Sequence, residues 1–350
     1  VVVLGAGIIG ISTAWHLLQK GHQVTVVDRQ PDAALETSFA NAAQISVSYC
    51  EPWANREAPL KALKWMFSAT SPLLFRPQLD PAQWRWMAAF IGACRTSVNR
   101  RNGAHLLRLA LLSQATLQAW RENDHLDGFA WRRNGKLVTF RSASHFAHAR
   151  QRVTDPVHQQ VLGSAECATL EPALAGVPFV GGIYTPDEEV ADCHGFCQQL
   201  AARLRASGRC EFLLGRAVTA IEHADGAVHA INLGGQRVEV EHLVIAAGHR
   251  SVALALPGVR MPLYPLKGYS LTVPIDARHR APELSITDYD RKVVYARIGE
   301  QLRVAAMVDA GTLRTTVGEH FGAITASNLR RAHQLIESGR ARGKVVLAGF

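Results

Sequence analysis

Hydrophobic and polar positions divide the start of this chain into a strand, a helix and a second strand. Residues 1–4 are a continuous apolar run, an amphipathic helical pattern continues through Leu18, and after a turn at Gly21 a second apolar run ends on Asp28. Residues 58–127 predict mainly helices, one beginning near Pro81 and another carrying Leu106, Leu107, Leu109, Leu111, Leu112, Leu117 and Trp120 at periodic positions. A hairpin is predicted over residues 129–141, turning at Asn134-Gly135, with helices over 164–170 and 194–206. Between those helices, residues 181–192 are rich in turn formers. Short strands fill 217–248, with turns at Asp225-Gly226 and Gly234-Gly235. Further on, the pattern predicts a strand over 264–275, a hairpin over 292–308 around Gly299-Glu300, a helix over 327–338 and a strand over 344–350. No internal repeat interrupts this order.

The first turn carries chemistry. Gly5-Ala6-Gly7-Ile8-Ile9-Gly10 joins the first strand to the helix. Gly5 permits the tight turn, Gly7 lets backbone approach a pyrophosphate, and Gly10 lets the helix pack closely on the strand. The helix N-terminus then offers free N–H groups and a positive dipole end to the phosphates. Asp28 is placed to accept hydrogen bonds from an adenosine ribose. A loop of small and polar residues follows at 34–46, in which Ser38, Asn41 and Gln44 supply polar groups while Ala40, Ala42 and Ala43 allow close approach. The same loop also reads as an ordinary surface turn. The three-strand excursion after residue 217 closes on a buried strand ending in Ala247-Gly248, as a dinucleotide domain of the FAD type would close its sheet; a plain core strand ending in a turn glycine fits equally.

Composition narrows the class. With 350 residues, 48% hydrophobic and 19% charged, the chain reads as a folded globular protein of two domains, or of one domain with a large insertion. Thirteen basic residues against four acidic ones over 76–152 account for the whole net charge of +9. Trp84, Trp86, Met87, Phe90 and Ile91 lie in that region, a mixture that suits an aromatic face packed on its own core or a peripheral contact with an anionic membrane. Nucleic acid is not an expected partner, because no recognition motif accompanies the charge. Six scattered cysteines fit a reducing, cytoplasmic compartment, and the basic helix would put any membrane contact on the inner face. Cys193-His194-x-x-Cys197 lacks a second ligand pair, so no metal is expected.

With these pieces placed, the chain resembles the FAD-dependent D-amino-acid dehydrogenases, the bacterial quinone-linked enzymes of the wider D-amino-acid oxidase and glycine oxidase superfamily. The resemblance rests on GAGIIG with Asp28, residues 35–46 (LETSFANAAQIS), 60–67 (LKALKWMF), the Asp192-Cys193 passage, IAAG at 245–248 and YPLKGYS at 264–270. It implies FAD held by Val3, Leu4, Gly5, Ala6, Gly7, Ile8, Ile9, Gly10, Asp28, Arg29, Ser38, Asn41, Ala42, Gln44, Ala247 and Gly248. Lys267, Gly268 and Tyr269 would line the substrate face. The family often has glycine where Ala43 stands, and it continues past a strand like 345–350 into an Arg-Pro motif and a glycine-rich segment. Neither follows here, so the main substrate anchor is expected to be missing; a start without Met and an end in mid-strand lead to the expectation that both ends are cut.

The resemblance implies an α/β fold. A Rossmann-like, parallel-sheet FAD domain (1–60 and 157–255, with 344–350 beginning a further segment) would interleave with an α+β substrate domain containing an antiparallel sheet (61–156 and 256–343). The implied reaction is oxidative deamination of a D-amino acid by hydride transfer to flavin N5, with a quinone or other electron carrier as acceptor. Two rivals remain: a glycine- or sarcosine-type oxidase that uses oxygen, and a shortened, catalytically silent FAD-binding module. An NAD-linked dehydrogenase fits the loop and the IAAG strand less well.

Overall fold

The computed structural model describes residues 1–66, 79–153, 158–254, 256–265 and 268–307, with strands at 317–323 and 344–348. The chain opens as predicted with β1 (Val2–Leu4), α1 (Ile8–Gln19) and β2 (Val24–Asp28). Helix α1 buries Ile11, Ala14, Trp15 and Leu18, one face at i, i+3, i+4, i+7 spacing. It ends before Gly21, whose left-handed φ of +91° suits glycine. Strand β3 (Gln44–Ile45) precedes three helices, α2 (Ala58–Met66), α3 (Pro81–Ala93) and α4 (Thr96–Asn123). Asp80 caps α3 by accepting the Ala82 N–H at 2.8 Å, and Pro81 occupies the first turn, where no donor is needed.

Next come β4 (Lys136–Phe140), α5 (Ala143–Gln151), β5 (Gln160–Gly163), α6 (Ser164–Leu170), β6 (Gly181–Thr185) and β7 (Glu189–Val190). The hairpin predicted over 129–141 does not form. Gly135 does take a left-handed φ of +74°, but Arg132 pairs with Val190, and β4 lies between β6 and a distant strand. An Asn-Gly pair signals a turn, whereas the partner of the strand beyond it is chosen by the sheet as a whole.

Helix α7 (Cys193–Ala206) leads into β8 (Cys210–Leu214), a meander of β9 (Ala220–Ala224), β10 (Ala227–Leu233) and β11 (Gln236–Glu239), and then β12 (Leu243–Ile245). The remaining strands are β13 (Gly268–Pro274), β14 (Ser285–Asp288), β15 (Val293–Ile298), β16 (Gln301–Met307), β17 (Val317–Ala323) and β18 (Lys344–Ala348). Strand β13 is shorter than the predicted 264–275, since residues 264–265 are not in the strand. The hairpin around Gly299 forms as predicted, from β15 and β16. The helix predicted over 327–338 lies outside the described residues.

Two sheets organise the molecule. The first, in the order β12-β1-β2-β8, is wholly parallel. Val3 and Val26 on one face pack with α1 and with Phe196, Leu200 and Leu204 of α7, while Val2, Leu4 and Val27 on the other pack with Ile231, Leu233 and Val240 around the meander. This alternation is the period-two signature of a strand buried on both faces, and each such side chain contributes roughly 1.5–3 kcal/mol. The second sheet is mixed, in the order β13-β16-β15-β14-β4-β6-β5. Leu137 and Ile286 on one face pack with Cys167 of α6, whereas Ala296 and Ile298 on the other meet Ala43 and Val190. The segment after β2 therefore leaves the parallel sheet and lies on the mixed one.

Candidate cofactor and substrate site

The Gly5–Gly10 turn is built as its residue types require. A Cβ on Gly5, whose φ is +108°, would fall 2.4 Å from the Ala246 carbonyl oxygen, and one on Gly10 would fall 1.8 Å from the Gly5 oxygen. Backbone thus passes at close contact where β1, α1 and the end of β12 meet. Ala247 and Gly248 follow at once, and Gly248, with φ +56°, begins a short 3-10 turn. The Ile8 N–H donates to Ser38 Oγ at 3.0 Å, and the Ala6 N–H to Asp28 Oδ2 at 2.6 Å. Asp28 Oδ1 accepts from Gln30 N at 2.8 Å, which leaves lone pairs on both oxygens for a ribose. The N–H groups of Gly7 and Ile9 have no partner among the described residues. Ile9, at the same helix start, is 66% exposed, and Phe39 is 50% exposed beside the His194 ring. Arg29 Nε donates to Glu36 at 2.8 Å.

From Ser38 the chain crosses the mixed sheet. Ser270 Oγ donates to the Ala40 carbonyl at 2.8 Å, and Asn41 Oδ1 accepts the Ala43 N–H at 3.0 Å, closing a local turn in which Ala43 holds a left-handed φ of +57°. Ala42 lies within this turn. Gln44 gives its carboxamide to the sheet: Nε2 donates to Ser285 Oγ and to Thr287 Oγ1, and Oε1 accepts from Lys136 Nζ at 3.2 Å. Lys136 also donates to Ser46 Oγ at 2.9 Å and lies over the Tyr49 ring. Lys136 is only 1% exposed, and burial pushes its pKa down to about 8 against the opposing pull of Glu188. Cys193, at the start of α7, is held below the usual thiol range by hydrogen bonding from Cys197, with Asn41 and Ser38 adding to the effect and burial opposing it.

Motif reading identified the loop but not the face that receives it. Lys136 pairs across strands with Thr185 and Ser285, and Arg303 pairs with Ala296 and Thr272. One row of the mixed sheet thereby carries two buried cations, and the loop runs along it. No local pattern announces that row, because its members come from six strands; burial of charged residue types in apolar strands was the available signal. Gly268 and Tyr269 open β13, paired with Met307 and Ala306, and Lys267 lies outside the described residues.

A strand, a glycine turn with unpaired N–H groups and a second strand ending in a carboxylate place this chain among dinucleotide-binding proteins, with the second sheet beside them. Over residues 1–347 it fits the model of the FAD dependent oxidoreductases, and it belongs to that family. It is 60% identical over 309 residues to D-amino acid dehydrogenase 2 of Pseudomonas aeruginosa, a match that spans 88% of this chain and 74% of that protein. D-amino acid dehydrogenase of Rhizobium johnstonii is 39% identical over 325 residues, spanning 91% of this chain and 78% of that one. Among solved structures, glycine oxidase from Geobacillus kaustophilus aligns with a TM-score of 0.59 at 18% identity, over 96% of this chain and 78% of that chain. Glycine oxidase from Bacillus cereus aligns with a TM-score of 0.56 at 19% identity, over 87% and 70%. These structures share the fold. FAD is the family's cofactor, and the unpaired N–H groups of Gly7 and Ile9 beside the Asp28 carboxylate fit its diphosphate and ribose.

Proposed function

We propose that the protein oxidatively deaminates D-amino acids to 2-oxo acids and ammonia and hands the electrons to a quinone-type acceptor. The observation that carries this reading is the loop 38–46, which starts at the glycine turn and ends clasped to buried polar side chains of the mixed sheet. Similarity to D-amino acid dehydrogenases supplies the substrate class.

Bound FAD supplies the two-electron acceptor that takes the substrate's α-hydrogen as hydride. Residues 3–10, Asp28 and Arg29 would hold its ADP half, with Ala247 and Gly248 on the adenine side. Ser38, Asn41, Ala42 and Gln44 would lie along the rest, with Gln44 anchoring the loop through its side chain. Gly268 and Tyr269, with Lys267, would line the substrate face. Ala43 of the loop packs with Val190, Ala296 and Ile298 as an apolar cluster on the mixed sheet. In this reading residues 1–60 and 157–255 form the cofactor domain, and 61–156 with 256–343 the substrate domain, with β5 and β6 reaching from the first into the mixed sheet.

The acceptor reading draws on α3 and α4. Leu106, Leu107, Leu109, Leu111 and Leu112 are each more than two-fifths exposed, with Arg101 and Arg108 exposed among them. On α3, Trp86 stacks on Phe90 and touches Tyr264, while Trp84 and Ile91 stay exposed. Exposed leucines beside arginines suit the surface of an anionic bilayer, where a quinone resides. Among the described residues no helix is long and apolar enough to cross a membrane.

Anaerobic D-alanine should bleach the visible absorbance of the purified yellow protein, and L-alanine should not. A soluble quinone should then restore the colour faster than air does. Rapid return of colour in air alone would favour an oxygen-using oxidase, and failure of any D-amino acid to bleach would reject the proposal.

A further inference from the structure

Two cysteines one turn apart open the helix that holds the cofactor loop. Cys193 is the first residue of α7 and Cys197 stands four positions on, so their side chains lie one above the other on the same face. Cys197 is fully buried, whereas Cys193 is only partly covered. The Cys197 thiol donates to the Cys193 sulfur, which also takes hydrogen bonds from Asn41 and Ser38. That bond favours the thiolate at Cys193 and keeps the proton on Cys197, and the first turn of a helix favours the same charge. The pair thus has the two parts of a redox dithiol: an accessible attacking sulfur and a protonated sulfur within its reach.

The same stretch of α7 is tied to the segment after β2. Just ahead of the helix, the Ala191 N–H donates to the Ala43 carbonyl at 3.0 Å. His194 Nδ1 donates to the Ala34 carbonyl at 3.3 Å, with its ring edge-on to Phe39, and Gln198 Nε2 donates to the Ala33 carbonyl at 2.9 Å. The helix start therefore grips the loop on both sides of Ser38.

A disulfide needs Cβ atoms about 3.5–4.5 Å apart, whereas i, i+4 positions of a regular helix hold them about 5–6 Å apart. Joining the two sulfurs requires residue 193 to leave the first helical turn. That turn also carries the contacts to Asn41, Ser38 and Ala34, so closing the bond pulls on the loop.

We infer that Cys193 and Cys197 are a peroxide-oxidised dithiol whose disulfide unwinds the start of α7 and loosens the cofactor loop. In the first step the Cys193 thiolate attacks hydrogen peroxide: an S–O bond forms, the O–O bond breaks, and the departing hydroxide takes up a proton as water. In the second the Cys197 sulfur displaces the hydroxyl of the Cys193 sulfenic acid, which leaves as a second water with the Cys197 proton. The two sulfurs together lose two electrons, and the peroxide gains them.

The test treats the flavin-loaded protein with hydrogen peroxide and follows free flavin by fluorescence. Peptide mass spectrometry should find Cys193 bonded to Cys197, and FAD should leave the oxidised protein about 10-fold faster than the reduced one, the size expected for losing one or two hydrogen bonds of the loop. Dithiothreitol should restore the slow rate. Cys197→Ala should stop at a Cys193 sulfenic acid that dimedone traps, and Cys193→Ser should release FAD at the same rate with and without peroxide.

The wild-type measurement stands alone if either variant fails to fold. A peroxide-treated wild type in which Cys193 stays reduced, is driven to sulfinic acid or pairs with another cysteine would overturn the inference. So would a Cys193–Cys197 disulfide with FAD held as tightly as before, or an equal peroxide effect in Cys193→Ser. No D-amino acid enters the measurement, so its outcome is independent of the substrate reading above.

Discussion

Lys136→Met should reverse the order of stability between wild type and variant as pH rises. The usual lysine pKa of 10.5 falls to about 8 in the folded chain, chiefly because burial disfavours the ammonium. At ~1.4 kcal/mol per pH unit, that difference costs the folded state about 3 kcal/mol at pH 7. The unfolded chain keeps this proton up to pH 10.5, whereas the folded chain releases it above 8. Stability therefore rises with pH between those values, and the penalty is fully present below 8. Methionine removes the penalty but leaves Gln44 Oε1 and Ser46 Oγ without their donor, a loss of about 1 kcal/mol each. The variant should be about 1 kcal/mol more stable than wild type at pH 7 and about 1 kcal/mol less stable at pH 10, with the curves crossing near pH 9. Urea unfolding of both proteins at several pH values measures this, and titrations common to the two cancel in the difference. A stability difference that stays constant from pH 7 to pH 10 would refute the burial of a strained ammonium at this position.

Three further outcomes follow from local geometry. Gly10→Ala puts a methyl 1.8 Å from the Gly5 oxygen, where backbone and not a flexible side chain must yield. It should cost about 3 kcal/mol or more and abolish flavin retention, read by thermal melting and visible absorbance; a stable yellow variant would contradict the packing. Ala43→Val forces a β-branched residue into φ +57° within a buried contact to Val190 and Ala296, and a loss of about 2–3 kcal/mol is expected in urea unfolding. Among the cysteines, iodoacetamide near neutral pH should modify Cys193 ahead of Cys50 and Cys210, whose thiols burial pushes up. Peptide mass spectrometry gives the order, and Cys197→Ala should slow Cys193 by removing the hydrogen bond that favours its thiolate.

The amino-terminal unit was legible because its determinants are local. One stretch of chain contains the strand, the glycines, the helix face and Asp28, and no distant residue is needed to choose among alternatives. The β9–β11 meander was legible for a related reason, since Asp225-Gly226 and Gly234-Gly235 set successive short hairpins, whereas the return of β12 alongside β1 depends on the whole sheet. The mixed sheet was not. Strand β4 pairs in parallel with β14, far along the chain, and that choice overrides what Asn134-Gly135 suggests locally. The same distance hides the receiving face of the site, since a lysine and an arginine in two separate strands read as solvent-facing until the fold buries both.

Gln44 shows where residue type stops being informative. A glutamine in a loop of small residues announces hydrogen bonding but not its direction, and in the structure both ends of the carboxamide are held by β4 and β14. Ser38 fixes the other end of the segment through the Ile8 N–H at the start of α1. Between these ties the chain passes through Ala43, an L-residue in the left-handed region, a conformation that tertiary contacts must sustain. The loop is thus a strut between the parallel and the mixed sheet, and a change at either tie is transmitted to the other. Weakening the Lys136 end should therefore loosen FAD retention even though Lys136 makes no bond to the glycine turn.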